Sequence, residues 1–374
     1  MRIGIDGREL EAKTMTGIGR YLENFLTYAT KARPAYQFII YGNQKTQVPV
    51  STENLAVKII PERVTLWWDQ VSLPRSIEKD RLNVFLSPYI KGPLLAPCPY
   101  VTTVHDLLFL KVSTYRGWRY AIHNAIFQQW GRFLSKHAAL ILTVSLHSQQ
   151  DIAELFRIPR SKIVVVPNGI SPGFQLIQNR QAVMSVTRKY GIISPYVLYV
   201  GNLKPHKNLG RLLEAYRKVS KRLKGDHQLV LAGKDERYRP DVEKAVENLD
   251  LCELVVLTGF VPDEELPLLH SGAEVLVYPS LYEGFGMPVL EAMACGTPVI
   301  ASKVTSLPEI VDDAGLLIDP ENTDEIAQAI FLLLTDPALR EKLIGKGLER
   351  SKHFSVEQTC SKILSVLEQV GGHK

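Results

Sequence analysis

Two glutamates eight positions apart, Glu283 and Glu291, flank the turn Gly284-Phe285-Gly286 and the helix start Met287-Pro288. Such a turn leaves backbone N–H groups unobstructed, proline suits the first helical position, and a helix N-terminus attracts anions. A carboxylate can accept two hydrogen bonds from a vicinal diol. The pattern offers a ribose diol to one acid, the hydroxyls of a sugar ring to the other, and a diphosphate to the N–H groups between them. The plainer reading makes Glu283 a cap and packs Met287 and Met293 into the core.

Three further loops carry reactive residue types. Gly201-Asn202-Leu203-Lys204-Pro205-His206-Lys207-Asn208 sets Lys204, His206 and Lys207 beside a helix start, which suits a diphosphate or is simply a solvated charge cluster. In Thr103-Val104-His105-Asp106, His105 ends a strand, where it can donate to a substrate hydroxyl or assist proton transfer, or sit in the core with Asp106 as a cap. Thr14-Met15-Thr16-Gly17-Ile18-Gly19 follows the first strand and opens a helix, so Gly17 can let backbone approach a phosphate. The dinucleotide fingerprint is not met: its third glycine position is Leu22, and Gly42-Asn43 stand where an acid should follow the second strand. There is no Walker loop and no D-x-D, so neither a nicotinamide nor a carboxylate-held magnesium or manganese is expected; the cofactor and metal expectation is none.

Those loops need a scaffold that brings them to one edge. Apolar strand runs alternate with helical stretches from Arg2–Asp6 onward, and the pattern restarts at Tyr196–Val200 after a polar stretch. The runs are too continuously apolar for half-exposed antiparallel strands. They predict parallel sheets covered on both faces, an α/β fold of two doubly wound domains. Ligands of such sheets bind outside the carboxyl ends of the strands, where all four loops fall. The last helical segment, Val356–Val370, has an apolar stripe that should pack on the body of the protein.

Composition excludes several classes. The 374 residues are 45% apolar and 22% charged, ample for a large core. A net charge of +5 with no concentrated basic face argues against a nucleic-acid partner. No apolar run is long enough to span a membrane, and MRIGIDG is not a signal peptide. Cys98, Cys252, Cys295 and Cys360 form no C-x-x-C pair and read as free thiols in a reducing, cytoplasmic setting. The stretch Tyr115–Lys136 mixes Trp118, Tyr120, Phe127, Trp130 and Phe133 with basic residues, and Trp67-Trp68 add an aromatic pair. These suggest weak peripheral membrane contact, against the alternative that the aromatics enter the core.

The segment Tyr282-Glu283-Gly284-Phe285-Gly286-Met287-Pro288-Val289-Leu290-Glu291, continuing through Cys295-Gly296-Thr297-Pro298, resembles the E-x7-E signature of the retaining family 4 glycosyltransferases. Val144-Ser145, Pro167-Asn168-Gly169 and Pro279-Ser280 extend the resemblance over nearly the whole chain. It implies a GT-B fold: two Rossmann-like domains facing across a cleft, with the C-terminal helix crossing back. The boundaries would be 1–175 completed by 355–374 for acceptor binding, and 176–354 for the nucleotide sugar. By position, Glu283 would hold the donor sugar, Glu291 the ribose and Lys207 the diphosphate. Gly17 would approach the diphosphate through backbone, Gly284, Phe285 and Gly286 would line the donor site, and Phe260 would lie near the base. His105 would touch the transferred sugar near the reaction centre. The family commonly carries an arginine after the glycine that opens the third loop; here that residue is Asn202, and Lys204 or His206 would partly replace the missing cation. The implied reaction moves a hexose, from UDP-glucose as first choice or from GDP-mannose, to a saccharide or lipid-linked saccharide in polysaccharide or glycolipid synthesis, without metal and with retention. A nucleotide-sugar epimerase or hydrolase, and a non-catalytic relative, are the competing readings.

Overall fold

A computed structural model describes residues 1–11, 17–112, 118–193 and 195–372, with backbone alone for 118–121 and 123. Thr14, Met15, Thr16, Tyr115 and Arg116 lie outside the described residues, as do the side chains of Trp118 and Tyr120.

The chain forms two compact units, Met1–Gly169 with Val356–Lys374 and Ile170–Ser355. The first holds seven strands: β1 (Arg2–Asp6), β2 (Gln37–Gly42), β3 (Leu55–Ile59), β4 (Val84–Ser87), β5 (Tyr100–Thr103), β6 (Leu140–Thr143) and β7 (Ile163–Val165). Their order is β3-β2-β1-β4-β5-β6-β7, every pair parallel. The second unit holds β8 (Tyr196–Val200), β9 (Gln228–Ala232), β10 (Val255–Gly259), β11 (Val275–Tyr278), β12 (Val299–Ser302) and β13 (Leu316–Ile318). Their order is β10-β9-β8-β11-β12-β13, again all parallel. Central strands such as β8 are buried along their whole length, because helices cover both faces; this is why they read as unbroken apolar runs. The edge strand β3 is the exception, with Val57 and Ile59 largely exposed.

The boundary falls between Gly169 and Ile170 rather than at 175. Ile170 donates its N–H to the Phe354 carbonyl, and Phe174 packs with Ala294 and Cys295, so 170–175 belong with the second unit. The helix Val356–Gly372 completes the first unit. It packs on the helix Gly17–Ala32 and buries Ile363, Leu364 and Leu367 with Ile3, Ile5 and Phe25. Each such side chain is worth roughly 1.5–3 kcal/mol on burial. Arg33 and Tyr36 fix its outer face by contacts of 2.7 and 3.1 Å to Glu368.

Two helical regions escape the apolar pattern. Arg180–Lys189 lies inside the polar stretch and buries only Val186, so its start is marked instead by the Asn179 side chain accepting from the Ala182 N–H. Residues 65–80 form a continuous helical path whose middle, Trp68–Ser72, is π-wound. No helix among the described residues is long and apolar enough to cross a membrane.

Gly233, just after β9, sits at φ +155°, and a Cβ there would lie 1.8 Å from the Gly201 carbonyl oxygen. Glycine is required at that close approach. Gly233→Ala should lower stability by about 1–3 kcal/mol or more. A urea titration checks this, and an unchanged midpoint would refute the packing described.

Candidate functional site

In each sheet the strand order reverses once, between β1 and β4 in the first unit and between β8 and β11 in the second. At such a switch point the loops leaving two neighbouring strands diverge and leave a crevice. In the second unit those loops are Gly201–Asn208 after β8, with Lys204, His206 and Lys207, and Pro279–Gly286 after β11, with Glu283.

Lys207 and Glu283 meet there. The Lys207 ammonium donates to Glu283 Oε1 at 2.6 Å and to the Tyr278 hydroxyl at 2.8 Å, with both charged side chains mostly buried. The ammonium also lies 5.0 Å from the Tyr278 ring centroid. Tyr278 ends β11 and stacks on Tyr199 of β8, centroids 5.9 Å apart and 17° from parallel. The Tyr199 hydroxyl donates to the Asn202 carbonyl at 2.7 Å. Burial pushes both phenols well above their usual range, so they stay protonated donors. The stacked pair thus ties both loops to the sheet. Nothing in the sequence patterns singled out these tyrosines, because they read simply as strand residues.

The loops are further pinned by backbone contacts. Asn208 adopts φ +62°, a region asparagine tolerates, and its side-chain amide donates to the Pro279 and Pro320 carbonyls at 3.0 and 2.6 Å. Buried Ser306 donates to the carbonyls of Glu283 and Phe285 at 3.0 and 2.8 Å. Phe285 packs edge-on against Phe354, and Gly286, at φ +118°, turns the chain into the helix Met287–Ala294. A side chain at Gly286 would collide with Leu307.

Glu291 projects from that helix and is only 4% exposed. Its charge, after burial itself, helps push the Cys295 thiol up to about 12. Phe260, just after β10, is 68% exposed and free of the core. Asn202 acts as a turn residue: its side-chain oxygen accepts the Lys204 N–H at 3.3 Å. Burial, then Lys207, push the His206 imidazole down to about 4, which favours its neutral form.

In the first unit, Gly17 is the exposed first residue of its helix, and an added Cβ would meet nothing within 4 Å among the described residues beyond its neighbours and its own helix backbone. His105 follows β5. Its Nε2 lies 3.1 Å from the Pro88 carbonyl, which can only accept, so Nε2 carries the proton and Nδ1 is the acceptor. Burial pushes this imidazole down to about 4, and its ring meets Tyr21 edge-on at 5.2 Å. With Nε2–H bonded to the Pro88 carbonyl, burial favours the neutral ring, with Nδ1 as its acceptor atom.

Comparison with known proteins decides the family. The profile described as Glycosyltransferase Family 4 matches residues 16–174, and Glycosyl transferases group 1 matches 189–350. The chain is 35% identical over 272 residues to O-antigen chain mannosyltransferase B of Escherichia coli, covering 71% of this chain and 69% of that one. The chain belongs to glycosyltransferase family 4. Serotype-specific mannosyltransferase WbdA of Escherichia coli is 28% identical over 233 residues, which span 60% of this chain but only 28% of that longer protein. Sucrose-phosphate synthase of Thermosynechococcus elongatus shares the fold, with a TM-score of 0.81 at 20% identity over the whole of both chains. The fold is thus GT-B, and the family makes the chain a glycosyltransferase.

The aromatic residues singled out for membrane contact separate in this family 4 chain. Trp68 is 1% exposed and lies under Arg8, whose guanidinium carbon is 3.8 Å from its ring centroid. It is a core residue, so the Trp67-Trp68 pair does not act at a surface; Trp67 alone is exposed. Phe127 packs on Phe109, whereas Ile122, Ile126 and Phe133 are exposed along one helix. Among the described residues, no group of three His, Cys, Asp or Glu side chains converges as a metal site.

His270 is fully buried, pushed down to about 3, and neither ring nitrogen has a partner among the described residues. With His105 and His206 it gives acid sensitivity a definite sign. Their unfolded pKa is about 6.5. As pH falls from there toward 4, the unfolded chain takes up protons that the folded chain refuses, so stability drops through that window. Asp69, which burial pushes up to about 6, acts in the opposite sense. His270→Leu should keep or raise the melting temperature at pH 7 and shrink its fall between pH 6.5 and 4. Melting curves across that range check this, and an unaltered slope would contradict it.

Proposed function

We propose that this chain is a retaining, metal-independent hexosyltransferase that moves a mannosyl group from GDP-mannose to a saccharide or lipid-linked saccharide hydroxyl during polysaccharide or glycolipid synthesis. The observation that carries the reading is the buried Lys207–Glu283–Tyr278 cluster beside the start of Met287–Ala294 at a switch point. The mannosyltransferase relatives favour mannose over the UDP-glucose alternative.

In this reading Glu291 holds the ribose, Phe260 flanks the base, and Gly17, Gly284, Phe285 and Gly286 present backbone to the diphosphate and donor sugar. Lys207 neutralises the diphosphate as it departs, in place of the cation that Asn202 does not supply. Glu283 accepts from donor-sugar hydroxyls while keeping Lys207 aimed. His105 accepts a hydroxyl of the transferred sugar through Nδ1. No motif carboxylate is assigned to the face opposite the leaving group, which favours a front-face route in which the departing phosphate takes the acceptor's proton. Catalysis then comes from leaving-group stabilisation and orientation. The first unit binds acceptor and the second binds donor. The exposed Ile122, Ile126 and Phe133 face, with Lys136 beside it, gives weak attachment to an anionic membrane surface. Sedimentation with anionic liposomes at low salt checks that attachment, and Phe133→Ser should reduce it; no binding by the unaltered chain would reject it.

The main test is transfer from labelled GDP-mannose and UDP-glucose in EDTA. Mannose should move without added metal; a magnesium-reversible loss, or hydrolysis alone, would reject the reading. Alanine at 283 would strand a buried ammonium, costing about 3–5 kcal/mol of stability, so glutamine is the informative change. Glu291→Gln should weaken nucleotide binding by roughly ten- to a hundredfold, the loss of one charged hydrogen bond of about 1.5–3 kcal/mol. Glu283→Gln should lower kcat more than it weakens free-nucleotide binding, since its contacts strengthen as the glycosidic bond breaks. Equal losses of nucleotide affinity in both would show the two roles wrongly divided.

A further inference from the structure

The first unit has its own switch point, and a polar cavity of about 250 Å³ opens there. Its walls include Asp6 at the end of β1 and Arg8 after it, Asn43 after β2, Glu62 after β3, and Pro88 and Tyr89 after β4. All come from the carboxyl ends of parallel strands, where such sheets bind ligands. Pro88, which lines the cavity, is also the residue whose carbonyl bonds to His105, so the cavity adjoins the residue assigned to the reaction centre.

Its electrostatics are set by Arg8. The guanidinium contacts Asp6 at 2.6 Å, Asp69 at 2.7 Å and Glu62 at 3.4 Å, and one face is covered by Trp68. Three carboxylates thus surround one buried cation, and nothing of its charge is left to attract an anion. Glu9 and Glu11 add two more acids to the lining, against Lys45 and Lys91. The cavity therefore resists phosphate and uronate groups. Glu62 also accepts from the Asn43 amide at 2.7 Å and the Thr65 hydroxyl at 2.8 Å, so carboxylate and amide stand side by side in fixed orientation. Of the about four acceptor sites of a carboxylate, Asn43, Thr65 and Arg8 occupy three on Glu62, and the Asn43 oxygen accepts the Lys45 N–H, so one Glu62 acceptor and the second Asn43 N–H form the donor–acceptor pair that suits vicinal hydroxyls. Tyr89 contributes an aromatic wall. The volume is below the roughly 300–1,000 Å³ of drug-sized sites, which fits one sugar ring rather than a chain.

The geometry points to this cavity as the subsite for the terminal sugar of the acceptor, selecting an uncharged hexose and excluding phosphorylated or uronic termini, with Glu62 and Asn43 as its specificity residues. This rests on the hexosyltransferase reading and adds the class of acceptor to it.

Ligand-observed NMR with methyl α-mannoside and methyl α-mannoside 6-phosphate tests the site without donor. The neutral glycoside should bind, and the phosphate at least tenfold more weakly. Glu62→Gln should weaken the neutral glycoside roughly tenfold, the scale of a lost charged hydrogen bond. It should also raise the acceptor KM while leaving nucleotide affinity unchanged. Asn43→Ala should act the same way if Glu62→Gln fails to fold. No binding of the neutral glycoside, equal binding of the phosphate, or unchanged affinity in a folded variant would overturn the assignment. Saccharide binding without transfer from any nucleotide sugar would instead reject the hexosyltransferase reading and leave the subsite standing.

Discussion

The second unit is organised around one buried ion pair, Lys207 with Glu283. An ammonium and a carboxylate removed from water are costly unless their geometry is fixed and their remaining hydrogen bonds are met. Tyr278 meets the ammonium, Tyr199 stacks behind Tyr278 and holds the Asn202 carbonyl, and Ser306 and Asn208 hold the loop backbones. Each support exists because the charges must not move. The same demand fixes where an incoming ligand finds a cation and an acceptor, so folding and binding draw on one set of contacts.

The two units use related devices to opposite effect. Each has a largely buried cation near its switch point. In the second unit Lys207 pairs with Glu283 and bonds the Tyr278 hydroxyl, whereas in the first Arg8 faces three carboxylates, which leaves that site the more negative. Two superficially similar parallel sheets therefore present different electrostatics to a ligand, and the difference lies in loop residues rather than in the fold.

Much of this was legible in the sequence. All thirteen strands correspond to short apolar runs, and for the central ones burial on both faces leaves no other composition. The glutamate pair and its glycine turn were visible because that chemistry concentrates in one short segment. What was hidden depends on distance along the chain. Tyr199 and Tyr278 matter only because β8 and β11 are neighbours, and Arg8 only because it meets residues 62 and 69 in space. The protonation of His206 and His105 was likewise invisible, since burial sets it. Arg180–Lys189 was missed because a helix that buries one side chain has no apolar period to read.

The helix Val356–Gly372 has a consequence for how the protein is made. It supplies core residues to the sheet that begins at Arg2, yet it is synthesised after the entire second unit. Domains ordinarily fold as they emerge from the ribosome, N-terminal first. Here the first sheet must wait with one helix of a layer missing, that face covered only in part by Gly17–Ala32, while nearly two hundred further residues are translated. The second unit can close on its own during that interval. Maturation thus runs against the order of synthesis, and the chain's earliest strands are the last to be fully sheltered from other nascent chains.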